Sequence, residues 1–191
     1  KEGTTGTCFV LITPDADRSM NTFLGITSEF SEADLNEEAL SASKYLYIEG
    51  YLVCTEVSLN AALKAKEIAR ENGVITALSL SDPGIVGFFE EGMKKLVEDC
   101  DIIFCNKDEA LAFTKKETLE EAAEVLREQV PLAVITLGAD GALVVNKAQE
   151  IKIDGFEVKA VDTTGAGDSF AGGFLSALSK GYSLEQAGKL G

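Results

Sequence analysis

Apolar positions along the chain fall into two alternating rhythms. Short runs rich in β-branched and aliphatic residues recur at 44–50 (KYLYIEG), 74–80 (VITALSL), 101–105 (DIIFC) and 132–137 (LAVITL). Runs of this length and make-up predict strands. Between them the apolar spacing lengthens to three and four. Leu59, Ala62, Leu63, Ala65, Ile68 and Ala69 predict a helix from a Thr55 cap through Asn72, ended by Gly73. A second helix is expected over 85–98. A third opens at Thr118, where Glu121 three residues on makes a capping box and Leu119, Ala122, Ala123 and Leu126 form the apolar face. Strands that alternate with helices predict an α/β fold with a mostly parallel central sheet flanked by helices.

The two ends of the chain read differently. Runs 7–13 and 19–27 flank the turn-rich pentad Pro14-Asp15-Ala16-Asp17-Arg18 and predict a hairpin. Its Phe9 and Phe23 could be core residues or face a ligand. Residues 28–38 form an acidic connector, expected as solvated surface. Ala139-Asp140-Gly141 is a tight turn returning into an antiparallel strand over 142–146. Ser183 with Gln186 is another capping box, opening a helix that meets the chain end at Gly191. Residues 1–191 thus read as a single partial domain, truncated at both ends. In parallel sheets ligands gather at the C-terminal ends of strands, which directs attention to the turns after Leu80, Cys105 and Leu137.

Composition narrows the chemistry. A hydrophobic content of 46% beside 26% charged residues is that of a globular chain rather than a disordered one. The formal net charge of −15 argues against a nucleic-acid surface, though not against a nucleotide held locally. No apolar run approaches the roughly 20 residues that span a bilayer, and no signal-peptide pattern is present. Cys8, Cys54, Cys100 and Cys105 are scattered and read as reduced thiols of a cytoplasmic protein. The chain has no histidine, so zinc sites completed by His and His-dependent triads are excluded. A general base must be a carboxylate.

The densest chemistry lies at 161–174, VDTTGAGDSFAGGF. Small residues lead into an apolar helical pattern, so the backbone amides from Gly165 to Asp168 sit at a helix start where free N–H groups and the dipole suit an anion. Asp168 would face that anion, placed to take a proton from an attacking hydroxyl in phosphoryl transfer. Ordinary capping by an early acid explains the same pattern. A dinucleotide fingerprint is excluded because Phe170 stands where its third glycine belongs, which disfavours an NAD-type oxidoreductase. A P-loop is excluded because Gly188-Lys189 is followed by Leu190.

Two further stretches stand beside it. Asn106-Lys107-Asp108-Glu109 follows a strand and reads either as a cap or as a magnesium and phosphate site, with Glu109 an oxygen ligand acting through water. Thr136-Leu137-Gly138-Ala139-Asp140-Gly141 reads either as a hairpin turn or as a nucleotide rest, with the Thr136 hydroxyl on a phosphate.

The order NxxE (Asn106, Glu109), TLGxxG (Thr136 to Gly141) and DTTGAGDxFxxGF (Asp162 to Phe174) resembles the ribokinase or PfkB family of carbohydrate and nucleoside kinases. TGTCFVLITPDADRSMNTFLG and YLYIEGYL are most similar to its bacterial adenosine-kinase-like branch. The resemblance implies a ribokinase-like fold with 7–27 as a small β lid, and transfer of the γ-phosphoryl group of ATP to a primary hydroxyl of a sugar or nucleoside, adenosine or ribose first. It implies Asp168 as the base and Gly165, Ala166 and Gly167 as the anion hole. Asn106 and Glu109 would organise Mg2+ and phosphates, and Thr136, Gly138 and Gly141 would form the nucleotide loop. Asp162 and Thr164 match positions of a K+ site in several members. The family's upstream Gly-Gly-x-x-Asn signature and early substrate Asp have no counterpart here, so half of the acceptor pocket is absent. A non-catalytic nucleotide-binding module is the alternative, and the lid edge leaves a homodimer open.

Overall fold

The computed structural model describes residues 2–13 and 18–191. A hairpin of β1 (Thr7–Ile12) and β2 (Arg18–Phe23) stands apart as a two-stranded antiparallel sheet. The turn expected at Pro14 to Asp17 lies outside the described residues. β2 ends sooner than the apolar run suggests, because Gly25 turns into the left-handed region at φ +55° and starts a 3-10 turn, Gly25–Glu29. Phe9 and Phe23 are exposed, so neither belongs to the core.

The main body is one six-stranded sheet in sequential order. Its strands are β3 (Tyr45–Glu49), β4 (Ile75–Ser79), β5 (Ile102–Asn106), β6 (Leu132–Thr136), β7 (Ala142–Val145) and β8 (Glu150–Ile153). β3 to β6 pair in parallel, and β7 and β8 add two antiparallel pairings. The sheet is therefore mixed. The return of β7 is expected from the Ala139 to Gly141 turn, whereas β8, four residues with two charges, carries too weak an alternation to be read.

Alternation along the strands sends side chains into two separate cores. Ile48, Leu78, Ile103, Cys105, Ile135 and Val145 point to one face. Ala77, Ile102, Phe104, Val134, Val144 and Ile153 point to the other. Burial on both faces explains why the strands read as unbroken apolar runs. The first face is covered by α2 (Glu56–Glu71), α3 (Pro83–Phe88), α4 (Glu90–Val97), α5 (Lys107–Thr114) and α6 (Leu119–Gln129). The second is covered by α7 (Ala166–Ser179) and α8 (Leu184–Leu190).

Caps set most of the boundaries. Thr55 accepts the Ser58 amide at the start of α2, and Gly73 at φ +68° follows its end. Thr118 and Ser183 cap α6 and α8. The helix expected over 85–98 divides at Phe89, which leaves helical geometry at ψ +38°. Gly87 weakens the helix just before the break, and Glu90 and Glu91 favour a fresh first turn after it. The connector at 28–38 lies at the surface, as expected, and is locally ordered. It holds a second 3-10 turn, Glu32–Asp34, and the start of α1 (Glu37–Ser41), capped by Asn36.

One contact fixes α7 to the sheet. Phe174, fully buried, meets Phe104 edge-on at 5.6 Å between ring centres, and Phe170 stacks on Phe174 at 6.1 Å. Phe174→Ala should cost ~3–5 kcal/mol, read as a lowered denaturant midpoint; a loss near zero would show that α7 is held by something else.

Candidate active site

Two of the three motifs start on neighbouring strands. Asn106, last residue of β5, lies directly opposite Thr136, last residue of β6. The turn beyond Thr136 is a 3-10 turn, Gly138–Asp140, with Gly138 at φ +61° and Gly141 at φ +91°. Leu137 N–H donates to the Gly141 carbonyl at 2.8 Å and closes it. Between this turn and the starts of α5 and α6 opens a cavity of about 420 Å³, lined by Asn106, Lys107, Leu119, Thr136, Gly138 and Asp140 among others.

The expected NxxE stretch resolves into a complete capping box. Asn106 Oδ1 accepts the Glu109 amide at 2.8 Å, the Asn106 amide donates to Glu109 Oε2 at 2.9 Å, and Asn106 Nδ2 donates to Glu109 Oε1 at 2.7 Å. The bland reading of these residues is thus built into α5, a helix the apolar spacing alone does not announce. Glu109 is 6% exposed. Burial pushes its carboxyl above the ordinary range, opposed by the Asn106 amide and reinforced by the charges of Asp82, Asp108 and Glu49. With both oxygens already taken by Asn106, the Glu109 carboxylate fits a metal held at one remove better than one bound directly.

The third motif approaches from the other face. Lys44, just before β3, donates to the Ser179 carbonyl at the end of α7 at 2.8 Å. The charge of Asp168, in the first turn of α7, is felt by Tyr47 and Glu49, the middle and last residues of β3. α7 therefore runs antiparallel to β3, and its N-terminus comes to the C-terminal edge of the sheet, the edge that also carries Asn106 and Thr136.

At that start Gly165 takes φ +75° and no side chain caps the helix. The expected hole is not uniform: the Ala166 amide donates to the Thr163 carbonyl at 3.1 Å, so that donor is already engaged, unlike the expectation that it points at a ligand. Asp168 is exposed. Asp162 Oδ1 accepts the Thr164 amide at 2.8 Å, a local turn that also holds Thr164. Among the described residues no cluster of three or more acidic or Cys side chains could hold a metal.

Glu49 and Ser81 escape the motif reading. Strand alternation puts Tyr45, Tyr47 and Glu49 on the α7 face. Ser81, left-handed at φ +70°, donates to Glu49 Oε2 at 3.0 Å and accepts the Gly50 amide at 2.8 Å. Burial, and after it the charge of Asp168, holds the Glu49 carboxyl above its ordinary range, while hydrogen bonds from Ser81 and Tyr47 oppose this. A carboxylate closing a strand at the ligand edge is the one sequence signal that could have singled Glu49 out.

The larger cavity, about 720 Å³, lies at the opposite edge, around Thr76, Cys100 and Asp101. Lys66 there spends its donors on the Lys95, Leu96 and Glu98 carbonyls at the end of α4, which makes it a helix cap rather than a ligand group. Catalytic chemistry is better served by the smaller opening.

This mixed sheet, covered by helices on both faces, is of the ribokinase-like α/β class. All of residues 1–191 match the description "pfkB family carbohydrate kinase", and the chain belongs to that family. It is 36% identical to an adenosine kinase of known structure from Sinorhizobium meliloti, with a TM-score of 0.94 over 97% of this chain and 58% of that one. It is 32% identical to the adenosine kinase of Schizophyllum commune and 32% identical to the ribokinase of Haemophilus influenzae, each over 98% of this chain and 60% of the relative. The chain thus spans about 60% of the length of these relatives. No helix among the described residues is long and apolar enough to cross a membrane.

The raised Glu109 carboxyl has a signed consequence. The fold binds its proton more tightly than the unfolded chain does, so the wild type should gain stability as pH falls through the folded value, until the ordinary value near about 4.3 is reached. Glu109→Gln should lack that increment. Denaturation midpoints against pH test it; parallel curves for the two proteins would refute the assignment.

Proposed function

We propose that this chain carries the nucleotide and phosphoryl-transfer machinery of a kinase that moves the γ-phosphoryl group of ATP to a primary hydroxyl of a sugar or nucleoside. The observation that carries the reading is the approach of the uncapped α7 start, with Asp168 in its first turn, to the edge formed by Asn106 and Thr136. Family membership supports the reaction class, and the adenosine kinase and ribokinase relatives make adenosine the first acceptor to try and ribose the second.

In this mechanism the nucleotide rests in the cavity over the Thr136 to Gly141 turn, its phosphates reaching toward Asn106 and the Thr136 hydroxyl. Mg2+, held mainly by phosphate oxygens and water with Glu109 behind them, would neutralise charge on the transferring group. The helix start at Gly165 and Gly167 offers dipole and amides to the phosphoryl oxygens; Ala166 joins once its amide leaves Thr163. Asp168 accepts the proton of the attacking hydroxyl, and the protein's main work is positioning. Glu49 adds a second acceptor for hydroxyl hydrogen bonds beside Asp168. Asp162 and Thr164 are placed beside this loop, and a K+ there would act on the loop's shape rather than on the substrate.

The exposed β1–β2 hairpin serves as the lid, with Phe9, Leu11 and Phe23 available to cover an acceptor or to meet a second copy. Sedimentation of the full-length protein checks the homodimer, and a monomer at every concentration would remove it.

The decisive experiment is ADP release from Mg-ATP by the full-length protein with adenosine, other nucleosides, ribose or fructose. Asp168→Asn should lower turnover by roughly 10²-fold or more while ATP binding persists. Saturable ATP binding without turnover on any acceptor would instead favour the non-catalytic module.

A further inference from the structure

Gly155, two residues beyond β8, belongs to none of the motifs above, yet its backbone crosses the nucleotide turn with no room between them. β8 pairs antiparallel with β7, Ala142 opposite Ile153, so the chain leaving β8 runs beside the turn that enters β7. A Cβ on Gly141 would lie 2.0 Å from the Ile153 carbonyl oxygen and 2.5 Å from the Gly155 nitrogen. A Cβ on Gly155 would lie 2.1 Å from the Ala139 carbonyl oxygen and 2.9 Å from the Gly141 nitrogen. Every one of these neighbours is backbone, which cannot swing aside as the end of a flexible side chain can.

The crossing joins two parts of the site. Ala139 and Gly141 belong to the turn whose Gly138 and Asp140 line the nucleotide cavity. Seven residues after Gly155 the same chain reaches Asp162, and from there the start of α7. Gly141 needs its glycine twice over, for φ +91° and for the approach of Ile153. Gly155 needs its glycine for the approach alone, since a side chain there must displace Ala139.

We propose that Gly155 is a positioning residue of the nucleotide site, whose missing side chain lets the two loops interlock backbone to backbone and so holds the Thr136 to Gly141 turn where the nucleotide requires it. The inference rests on the kinase reading above. Gly155 does not touch nucleotide; it acts through Ala139 and Gly141. The same interlock ties the nucleotide turn to the stem of the loop that carries Asp162 and leads to Asp168 in α7.

The test compares wild-type and Gly155→Ala full-length protein by direct ATP binding, steady-state kinetics and thermal unfolding. The expected result is a folded variant whose Kd and KM for ATP rise by roughly tenfold or more, with the KM for the acceptor unchanged. A folded variant with unchanged ATP affinity overturns the proposal. So does an equal rise in both KM values, which marks general loosening of the fold. Should the variant fail to fold, hydrogen exchange on the wild type decides. Protection by ATP of amides at 153–156 together with 138–141 supports the interlock, and protection confined to 138–141 refutes it. A wild type that binds no ATP overturns the kinase reading itself; one that binds ATP while Gly155→Ala binds it equally well overturns only the role of Gly155.

Discussion

Covering the central sheet on both faces is the constraint from which the site follows. Strands buried from two sides need two helical layers, and the second layer here is essentially α7 and α8. Phe174 seats α7 on Phe104, and Lys44 ties its far end to the start of β3. With both points held, a helix of 14 residues has little freedom in where its first turn falls. That turn carries Asp168 and reaches the edge where β5 and β6 end. Loss of packing at Phe174 would therefore shift the position of Asp168.

The edge so formed is short of positive side chains among the described residues. Glu49, Asp82, Glu109 and Asp168 come to it from four different elements; burial raises the proton affinity of Glu49 and Glu109, and the neighbouring acidic charges add to it. On the proposed reading, attraction for a polyphosphate would come from backbone amides, helix starts and the accompanying cation, with Lys107 at the cavity rim. In a chain with a net charge of −15, such local sources of positive potential matter more than the global field.

At Asn106 and Glu109 the hydrogen bonds that start a helix are, on the proposed reading, also those of the site. The capping box that starts α5 also fixes the orientation of the buried Glu109 carboxylate. Two readings that compete in the sequence are compatible in the fold, because a helix start is both a structural terminus and an anion site.

What the sequence determined by itself was local. Caps at Thr55, Thr118 and Ser183, the apolar runs of β3 to β6 and the three ordered motifs follow from residues within a few positions of one another, where capping and periodicity act. Short or polar elements escaped: α5 hides behind a loop-like motif, β8 alternates over only four residues, and a predicted single helix breaks at Phe89. The tertiary structure alone decided that Glu49 feels the charge of Asp168, that Ala166 turns its amide to Thr163, and that Gly155 crosses Gly141. Two of these are encounters between residues far apart in the chain, and the third depends on the exact bend of one loop. They arise from how helices seat on a two-faced sheet and how strands pair, which no local pattern of polar and apolar residues encodes.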